Sequence, residues 1–287
     1  MLYQRYTSLY KQGQIHTGFS NRLPDYAVGF WLEQLEKVVF QSKRGRFLDV
    51  GAGDGRLTRL LAEFFKQGVA IEVQGNKHSW DRVRQACPNV SLREGLLQDL
   101  VPALVQEKPF DFILLAEVFE HIPLQDVDAF LSALPKVLAD DGVIFLTTPN
   151  FVVQGPAEKS PRWYVRQQYG HYKHYSFQEV KALLAQHGLE IVEGWFECHK
   201  LKAKMYNRFY YPVARLDSKL LHSKKVPGMV RWLYQALSWP FLPLVNGVFR
   251  SLGWAVNRYE ERYNNEKNAE TMILKIKKQA SITQKKE

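Results

Sequence analysis

Phe47-Leu48-Asp49-Val50-Gly51-Ala52-Gly53-Asp54-Gly55 is an apolar strand that runs directly into three alternating glycines. Glycine tolerates positive φ and leaves backbone open to close approach by a ligand. Residues 56–65 follow with a helical pattern, and the unpaired N–H groups at such a helix start favour a carboxylate or phosphate. A nucleotide-like cofactor is therefore expected at this edge. The dinucleotide fingerprint G-x-G-x-x-G/A places a small residue three positions past its second glycine. Here that position is Arg56, which argues against NAD.

Outward from the turn, strands are expected at 47–50, 69–73, 90–92, 110–116 and 143–147, with helical patterns between them. Tyr26, Phe30, Trp31, Leu35 and Val38 or Val39 recur at helical spacing ahead of the first strand, and Lys43, Arg44 and Arg46 close that covering helix. Phe130, Leu131, Leu134 and Leu138 predict a helix over 127–138 that stops at Asp140-Asp141-Gly142, with Gly142 as a left-handed cap. Ser176 and Glu179 read as the start of a helix running to His187 and ended by Gly188, before a strand at 189–196. Alternating strand and helix mean a parallel, doubly wound α/β sheet, with ligand outside the carboxyl ends of its strands.

The D-V-G-A-G-D-G turn, an acid at Glu72 closing the second strand, residues 111–150 and residues 171–196 occur in an order that resembles the class I S-adenosylmethionine-dependent methyltransferases. The resemblance covers roughly half the chain. It implies a seven-stranded, mostly parallel, Rossmann-like sheet whose last strand returns antiparallel between the fifth and sixth; T-M-I-L-K-I at 271–276 is the candidate. It implies S-adenosyl-L-methionine as cofactor, held by Asp49, Gly51, Ala52, Gly53 and Gly55 of the turn, by Glu72 at the ribose hydroxyls and by Glu117. The family's acid for the adenine amine has no clear counterpart, since Leu96 stands there with Gln98 and Asp99 close behind.

After the fourth strand comes Ala116-Glu117-Val118-Phe119-Glu120-His121-Ile122, whose E-V-x-E-H pattern is similar to that of ubiquinone-pathway O-methyltransferases and small-RNA 2′-O-methyltransferases. Imidazole, with an ordinary pKa of about 6.5, can take the proton of a hydroxyl as it attacks the methyl group. His121 is thus the candidate general base; the plainer role is to orient the loop or the cofactor. Glu117, Glu120 and His121, with His171 or His174 from G-H-Y-K-H-Y-S-F, also make an oxygen and nitrogen set suited to a divalent metal. The same position is associated with a divalent ion in the two groups resembled, yet many small-molecule methyltransferases carry the E-H pair without one, so a metal is not favoured. Asn150 of Thr147-Thr148-Pro149-Asn150 either meets substrate or caps its loop. No G-x-S-x-G elbow or G-x-x-x-x-G-K-[ST] loop occurs, which leaves acyl and phosphoryl transfer without support.

With 287 residues, 46% of them apolar, the chain can bury one sizeable core plus an appendage. Cys87 and Cys198 lie far apart without C-x-x-C spacing, so neither a disulfide framework nor a thiolate zinc site is expected, and residues 1–11 lack the apolar run of a secretory signal. A cytoplasmic location is expected. Charge is unevenly divided: residues 1–200 hold 22 Lys and Arg against 23 Asp and Glu, and 201–287 hold 17 against 6. The expected organisation is an N-terminal helical cap (1–45), a cofactor-binding core (46–199), a basic aromatic helical insertion (200–268), the final strand (269–279) and a tail (280–287). From Trp232 to Phe249 there is no charged residue, but Pro240, Pro243, Gln235, Ser238, Asn246 and Gly247 interrupt the stretch and weaken a spanning reading. Trp232, Trp239 and Trp254 among lysines and arginines suit either a lid or contact with an anionic membrane surface. The expected activity is O-methylation of a small-molecule, lipid-linked or glycan-type acceptor. The alternatives are an RNA 2′-O-methyltransferase, which the tyrosines and basic residues of 206–215 suit as well as they suit a lipid but which is less favoured because no recognised RNA module is visible, and a non-catalytic cofactor-fold scaffold.

Overall fold

The computed structural model describes residues 29–75, 77–157, 170–199, 226–238 and 265–280, with isolated positions between 208 and 259. Tyr26, residues 1–11, most of 206–215, Trp239, Trp254 and the tail from 281 lie outside the described residues. The chain divides into two compact units, Met1–Glu36 with Cys198–Asn264, and Lys37–Glu197 with Asn265–Glu287.

The second unit carries the sheet. Its elements begin with the end of α1 (Gly29–Gln41) and continue as β1 (Arg46–Val50), α2 (Arg56–Ala62), β2 (Gln67–Glu72), α3 (Lys77–Ala86), β3 (Val90–Glu94), α4 (Leu97–Leu104) and β4 (Phe110–Ala116). A 3₁₀ turn (Phe119–His121), α5 (Val127–Val137), β5 (Leu138–Pro149), the short α6 (Phe151–Gln154), α7 (Phe177–Gln186) and β6 (Leu189–His199) follow. After α8 (Gly228–Ser238) of the first unit, β7 (Ala269–Lys278) returns to the sheet.

Strand order is β3-β2-β1-β4-β5-β7-β6. β1 pairs in parallel with both β2 and β4, so the chain winds one way from β1 to β3 and the other way from β4 onward. Right-handed crossovers then send the two sets of helices to opposite faces, and a crevice opens where the winding reverses, beyond the carboxyl ends of β1 and β4. β7 runs antiparallel to β5, with Thr271 opposite Pro149 and Ile276 opposite Ile144, and lies between β5 and β6 as the family resemblance implied. The core is continuous through Leu48, Ile71, Ile113, Phe130, Leu146 and Leu274, all buried.

Two local expectations are corrected. α2 stops at Ala62, short of residue 65, and a turn follows in which the N–H groups of Phe64 and Phe65 both donate to the Leu61 carbonyl. That turn drives the Phe65 ring between Phe47 and Phe112, at 5.4 and 5.5 Å between ring centres. Gly142 is not a left-handed cap: α5 ends at Val137, and β5 begins at once with Asp140-Asp141-Gly142 inside it. Phe110 faces Leu138 and Phe112 faces Val143, so the intervening residues of β5 bulge out. A side chain on Gly142 would stand 2.9 Å from the Phe110 carbonyl oxygen and 2.7 Å from Leu138, so the position needs glycine for close approach rather than for positive φ. By contrast α7 starts as read: Ser176 Oγ accepts from the Glu179 N–H, the Glu179 carboxylate accepts from the Ser176 N–H, and Gly188 follows with φ 69°.

Candidate functional site

The glycine turn leaves β1 with the N–H groups of Gly51 and Ala52 donating to the Ile71 carbonyl at 2.9 and 3.0 Å. Glu72, at the tip of β2, accepts the Gly53 N–H at 2.7 Å on one oxygen and the Val73 N–H at 2.8 Å on the other. Trp80 Nε1 donates to the Gly53 carbonyl at 3.3 Å. Gly53 and Gly55 have φ of 56° and 76°, in the left-handed region. Their surroundings differ: a Cβ on Gly55 would lie 2.3 Å from Val83 Cγ2, while one on Gly53 meets no protein atom within 4 Å. The backbone of Gly53 thus faces open space.

That space is a cavity of about 550 Å³, lined by Asp49, Gly51, Ala52, Gly53, Glu72, Leu96, Gln98, Glu117 and His121 among others. It lies at the crevice the strand order marks out, and its size is that of a cofactor or substrate pocket. Gly55 and Asp99 are not in the lining. Asp49 is buried and takes the Thr58 hydroxyl proton in a 2.6 Å hydrogen bond. Burial pushes its carboxyl up to about 7, opposed by the Thr58 bond and reinforced by the charges of Glu72 and Asp54. Thr58 and Trp80 carried no signal in sequence; they act on Asp49 and Gly53, nine and 27 residues away.

Across the cavity, Glu117 has φ 56°, a strained value for a residue with a side chain, and its N–H donates to both the carbonyl and the hydroxyl of Thr147. The following 3₁₀ turn brings His121 to the lining and sends Glu120 inward, fully buried. Glu120 Oε2 accepts from the Thr148 hydroxyl at 2.9 Å; among the described residues no hydrogen-bond partner reaches Oε1. Burial first, and the Glu117 carboxylate second, push the Glu120 carboxyl well above the usual range.

The segment after Gly170 is tied to this turn, because the Tyr172 N–H donates to the Glu120 carbonyl at 2.8 Å. The His121 and His171 rings meet edge to face with centres 4.6 Å apart. One ligand atom from each of Glu120, His121 and His171 lies within 4.8 Å of the other two, a set that suits a divalent cation. Glu117 and His174, also candidates from the sequence, are outside this trio. His174 stands behind it, Nε2 to His171 Nδ1 at 2.8 Å and Nδ1 to the Gly155 carbonyl at 2.9 Å. Asn150 is fully buried and spends its side chain on backbone: Nδ2 donates to the Glu266 and Ala269 carbonyls, and Oδ1 accepts the Val152 N–H. Of its two readings, loop capping is the one the structure realises.

Residues 25–194 match the family described as Methyltransferase domain, more than half of the chain. The chain belongs to this family. It is a class I S-adenosylmethionine-dependent methyltransferase, and the glycine turn with Glu72 beside an open cavity fits that cofactor. Among curated relatives, the Ubiquinone biosynthesis O-methyltransferase of Bartonella tribocorum is 28% identical over 156 residues, 52% of this chain and 61% of that protein. That of Bartonella quintana is 27% identical over 156 residues, with the same coverage of 52% and 61%. The methyltransferase therefore aligns with less than two thirds of the length of these relatives. Two solved structures share its fold. A 1,6-didemethyltoxoflavin-N1-methyltransferase from Burkholderia thailandensis, with bound 1,6-didemethyltoxoflavin and S-adenosylhomocysteine, has a TM-score of 0.51 at 13% identity, covering 97% of this chain and 88% of that one. A SAM dependent methyltransferase from Archaeoglobus fulgidus has a TM-score of 0.50 at 15% identity, covering 88% and 95%.

Proposed function

We propose that this methyltransferase methylates a hydroxyl oxygen of a small or lipid-linked acceptor, with His121 taking the hydroxyl proton. The observation that carries the proposal is that His121 lines the same cavity as Gly53 and Glu72. When bound, S-adenosylmethionine supplies a methyl group on a positively charged sulfur. The turn and Glu72 would hold the adenosyl half by backbone and carboxylate, Gln98 and Leu96 line the same cavity, and His121 would meet the acceptor. Catalysis is then mostly alignment of oxygen, methyl and sulfur, with proton removal adding about 10²–10⁴-fold. The names of the ubiquinone-pathway relatives support oxygen over nitrogen or carbon.

A lipid-linked acceptor reached from a membrane surface is supported by the other unit. Among the described residues no helix is long and apolar enough to cross a membrane. Yet no residue of α8 is buried, and Met229, Val230, Trp232, Leu233 and Leu237 are exposed on it. Residues 200–264 carry twelve Lys and Arg against three Asp and Glu. An exposed apolar helix in a basic setting is the composition of a peripheral element on anionic lipid.

A second reading of His121 is favoured by one observation, a carboxylate oxygen of the buried Glu120 within 4.8 Å of ligand atoms of His121 and His171. These three residues would hold a divalent cation, which lowers the pKa of a bound hydroxyl as a Lewis acid. One experiment separates the readings. Labelled methyl transfer into fractionated lipid, small-molecule and RNA extracts is measured before and after chelation, with wild type and His121→Gln. Label on oxygen in lipid or small molecules, unaffected by chelation and lowered at least a hundredfold by His121→Gln, supports the base. Loss on chelation supports the cation. Label on nitrogen, carbon or RNA overturns the hydroxyl acceptor proposed here.

A further inference from the structure

We infer that His174 is a positioning residue, which fixes the ring of His171 so that Nε2 is its ligating atom in a divalent-cation site with Glu120 and His121. The inference rests on the second reading of His121. A carbonyl oxygen only accepts, so the 2.9 Å contact with Gly155 puts a proton on His174 Nδ1. The neutral ring then presents Nε2 as an acceptor, and His171 Nδ1, 2.8 Å away, meets it as a donor. Neutral or protonated, His171 keeps a hydrogen on Nδ1, and the lone pair it has for a cation is on Nε2. This is the arrangement by which a carbonyl or carboxylate behind a ligating imidazole sets its tautomer and orientation.

Both ends of the relay are built into the fold. Gly155 has φ 67° and ψ −169°, a backbone state closed to ordinary side chains, as it offers its carbonyl to His174. His174 itself is buried, with 1% of its surface exposed, so solvent does not stand in for it. The segment that carries both histidines is held at its far end, where Tyr175 bridges to Asn150 and its carbonyl accepts the Phe151 N–H at 2.9 Å. Glu120 is itself fully buried, with Oε2 accepting from the Thr148 hydroxyl and the Glu117 carboxyl beside it, and one of its carboxylate oxygens stands with the two rings as a ligand set for a divalent cation.

The test is a titration of the full-length protein with Mn²⁺, followed by electron paramagnetic resonance of the unbound ion. Wild type is expected to bind one ion; His174→Leu is expected to weaken that binding about 10–100-fold. His174→Gln, whose amide can donate and accept as the imidazole does, is expected to stay within a few-fold of wild type. Binding of S-adenosylhomocysteine, unchanged in both variants, reports that they fold. Wild type alone gives a second readout: ¹⁵N–¹H correlation at pH 8, with His171 assigned by His171→Gln, is expected to show hydrogen on Nδ1 and none on Nε2. A wild type that binds S-adenosylhomocysteine but no Mn²⁺, a His174→Leu that binds Mn²⁺ as wild type does, or hydrogen on His171 Nε2 each overturns the inference. Failure of the hydroxyl-acceptor proposal would show elsewhere, as methyl label on nitrogen, carbon or RNA.

Discussion

Thr58, inside α2, donates its hydroxyl to Asp49 at 2.6 Å where β1 gives way to the glycine turn. Both residues are buried. The bond favours the ionised carboxylate, but burial outweighs it and holds the carboxyl up to about 7. A buried carboxyl titrating near neutrality on the wall of the cofactor cavity couples folding to pH through one atom pair.

The stability consequence has a definite direction. Folded Asp49 keeps its proton up to about pH 7, whereas its ordinary value is 3.8. Between those values the folded state binds more protons than the unfolded one, so this group lowers stability as pH rises from about 4 to about 7 and is level above. A separation of about three units corresponds to on the order of 4 kcal/mol. Asp49→Asn, which keeps an acceptor for Thr58, should be more stable than wild type at pH 8, with the gap closing towards pH 4. Urea unfolding of both proteins across that range checks it; a constant gap would show that Asp49 is not the titrating group.

Glu72 gives a binding prediction. Each of its oxygens already accepts one backbone N–H, from Gly53 and from Val73, which aims its remaining lone pairs at the cavity. Glu72→Ala removes those charge-assisted acceptors and leaves the turn unbraced. Affinity for S-adenosylhomocysteine should fall about 10–100-fold, the equivalent of roughly 1.5–3 kcal/mol for hydrogen bonds to a charged group. Calorimetry decides, and an unchanged Kd in a folded variant would remove Glu72 from the cofactor site.

Gly53 and Gly55 share a left-handed backbone but not an environment, so the same substitution should fail in two ways. Gly55→Ala drives a methyl to 2.3 Å from Val83 and should cost stability, by several kcal/mol unless α3 shifts. Gly53→Ala costs only the backbone strain, about 1 kcal/mol, because its methyl enters open cavity. Cofactor affinity, not melting temperature, is what it should lower. Thermal melts set beside S-adenosylhomocysteine titrations separate the two, and equal melting temperatures would contradict the packing.

What the sequence made legible was local. The glycine turn, the Ser176 and Glu179 capping pair and the strands depend on neighbours within a few positions, and all appear in the order read, though β2 (Gln67–Glu72) and β5 (Leu138–Pro149) have other ends than the 69–73 and 143–147 expected. β7 was found only through its family pattern, since its partner β5 lies more than a hundred residues away. Gly142 misled because a glycine after a helical pattern looks alike whether it supplies positive φ or room for a carbonyl. The histidines show the same limit: His171 and His174 are interchangeable as letters, and only the Gly155 carbonyl distinguishes the one that faces Glu120 and His121 from the one behind it.

Asn150 should matter to stability rather than turnover. Its amide donates to the carbonyls of Glu266 and Ala269 and accepts the Val152 N–H, while the Glu266 carboxylate accepts the Phe177 N–H that begins α7. This knot ties the end of β5 to the start of β7. Asn150→Ala breaks three hydrogen bonds in a buried place, at about 1 kcal/mol each, so a loss of about 3 kcal/mol is expected. Asn150→Asp should be worse, because a carboxylate turned towards two carbonyls has nothing to donate. Chemical denaturation of the three proteins tests the order; equal stability of Asn and Asp would mean that the amide donors carry no weight.

α8 offers the sharpest test of the membrane proposal. Trp232 is 65% exposed, in line with Met229 and Leu233 along a helix none of whose residues is fully buried. If the helix lies in an anionic interface, Trp232 contributes apolar burial and the surrounding lysines and arginines contribute about 1 kcal/mol each near the surface. The two terms respond to different variables. Sedimentation with phosphatidylglycerol vesicles should fall with rising salt, while Trp232→Glu should reduce binding about tenfold or more at low salt as well. Vesicles of phosphatidylcholine alone should bind far less. If Trp232→Glu leaves vesicle binding intact, or if wild type ignores anionic vesicles at low salt, the basic unit has another partner and the lipid-linked acceptor loses its support.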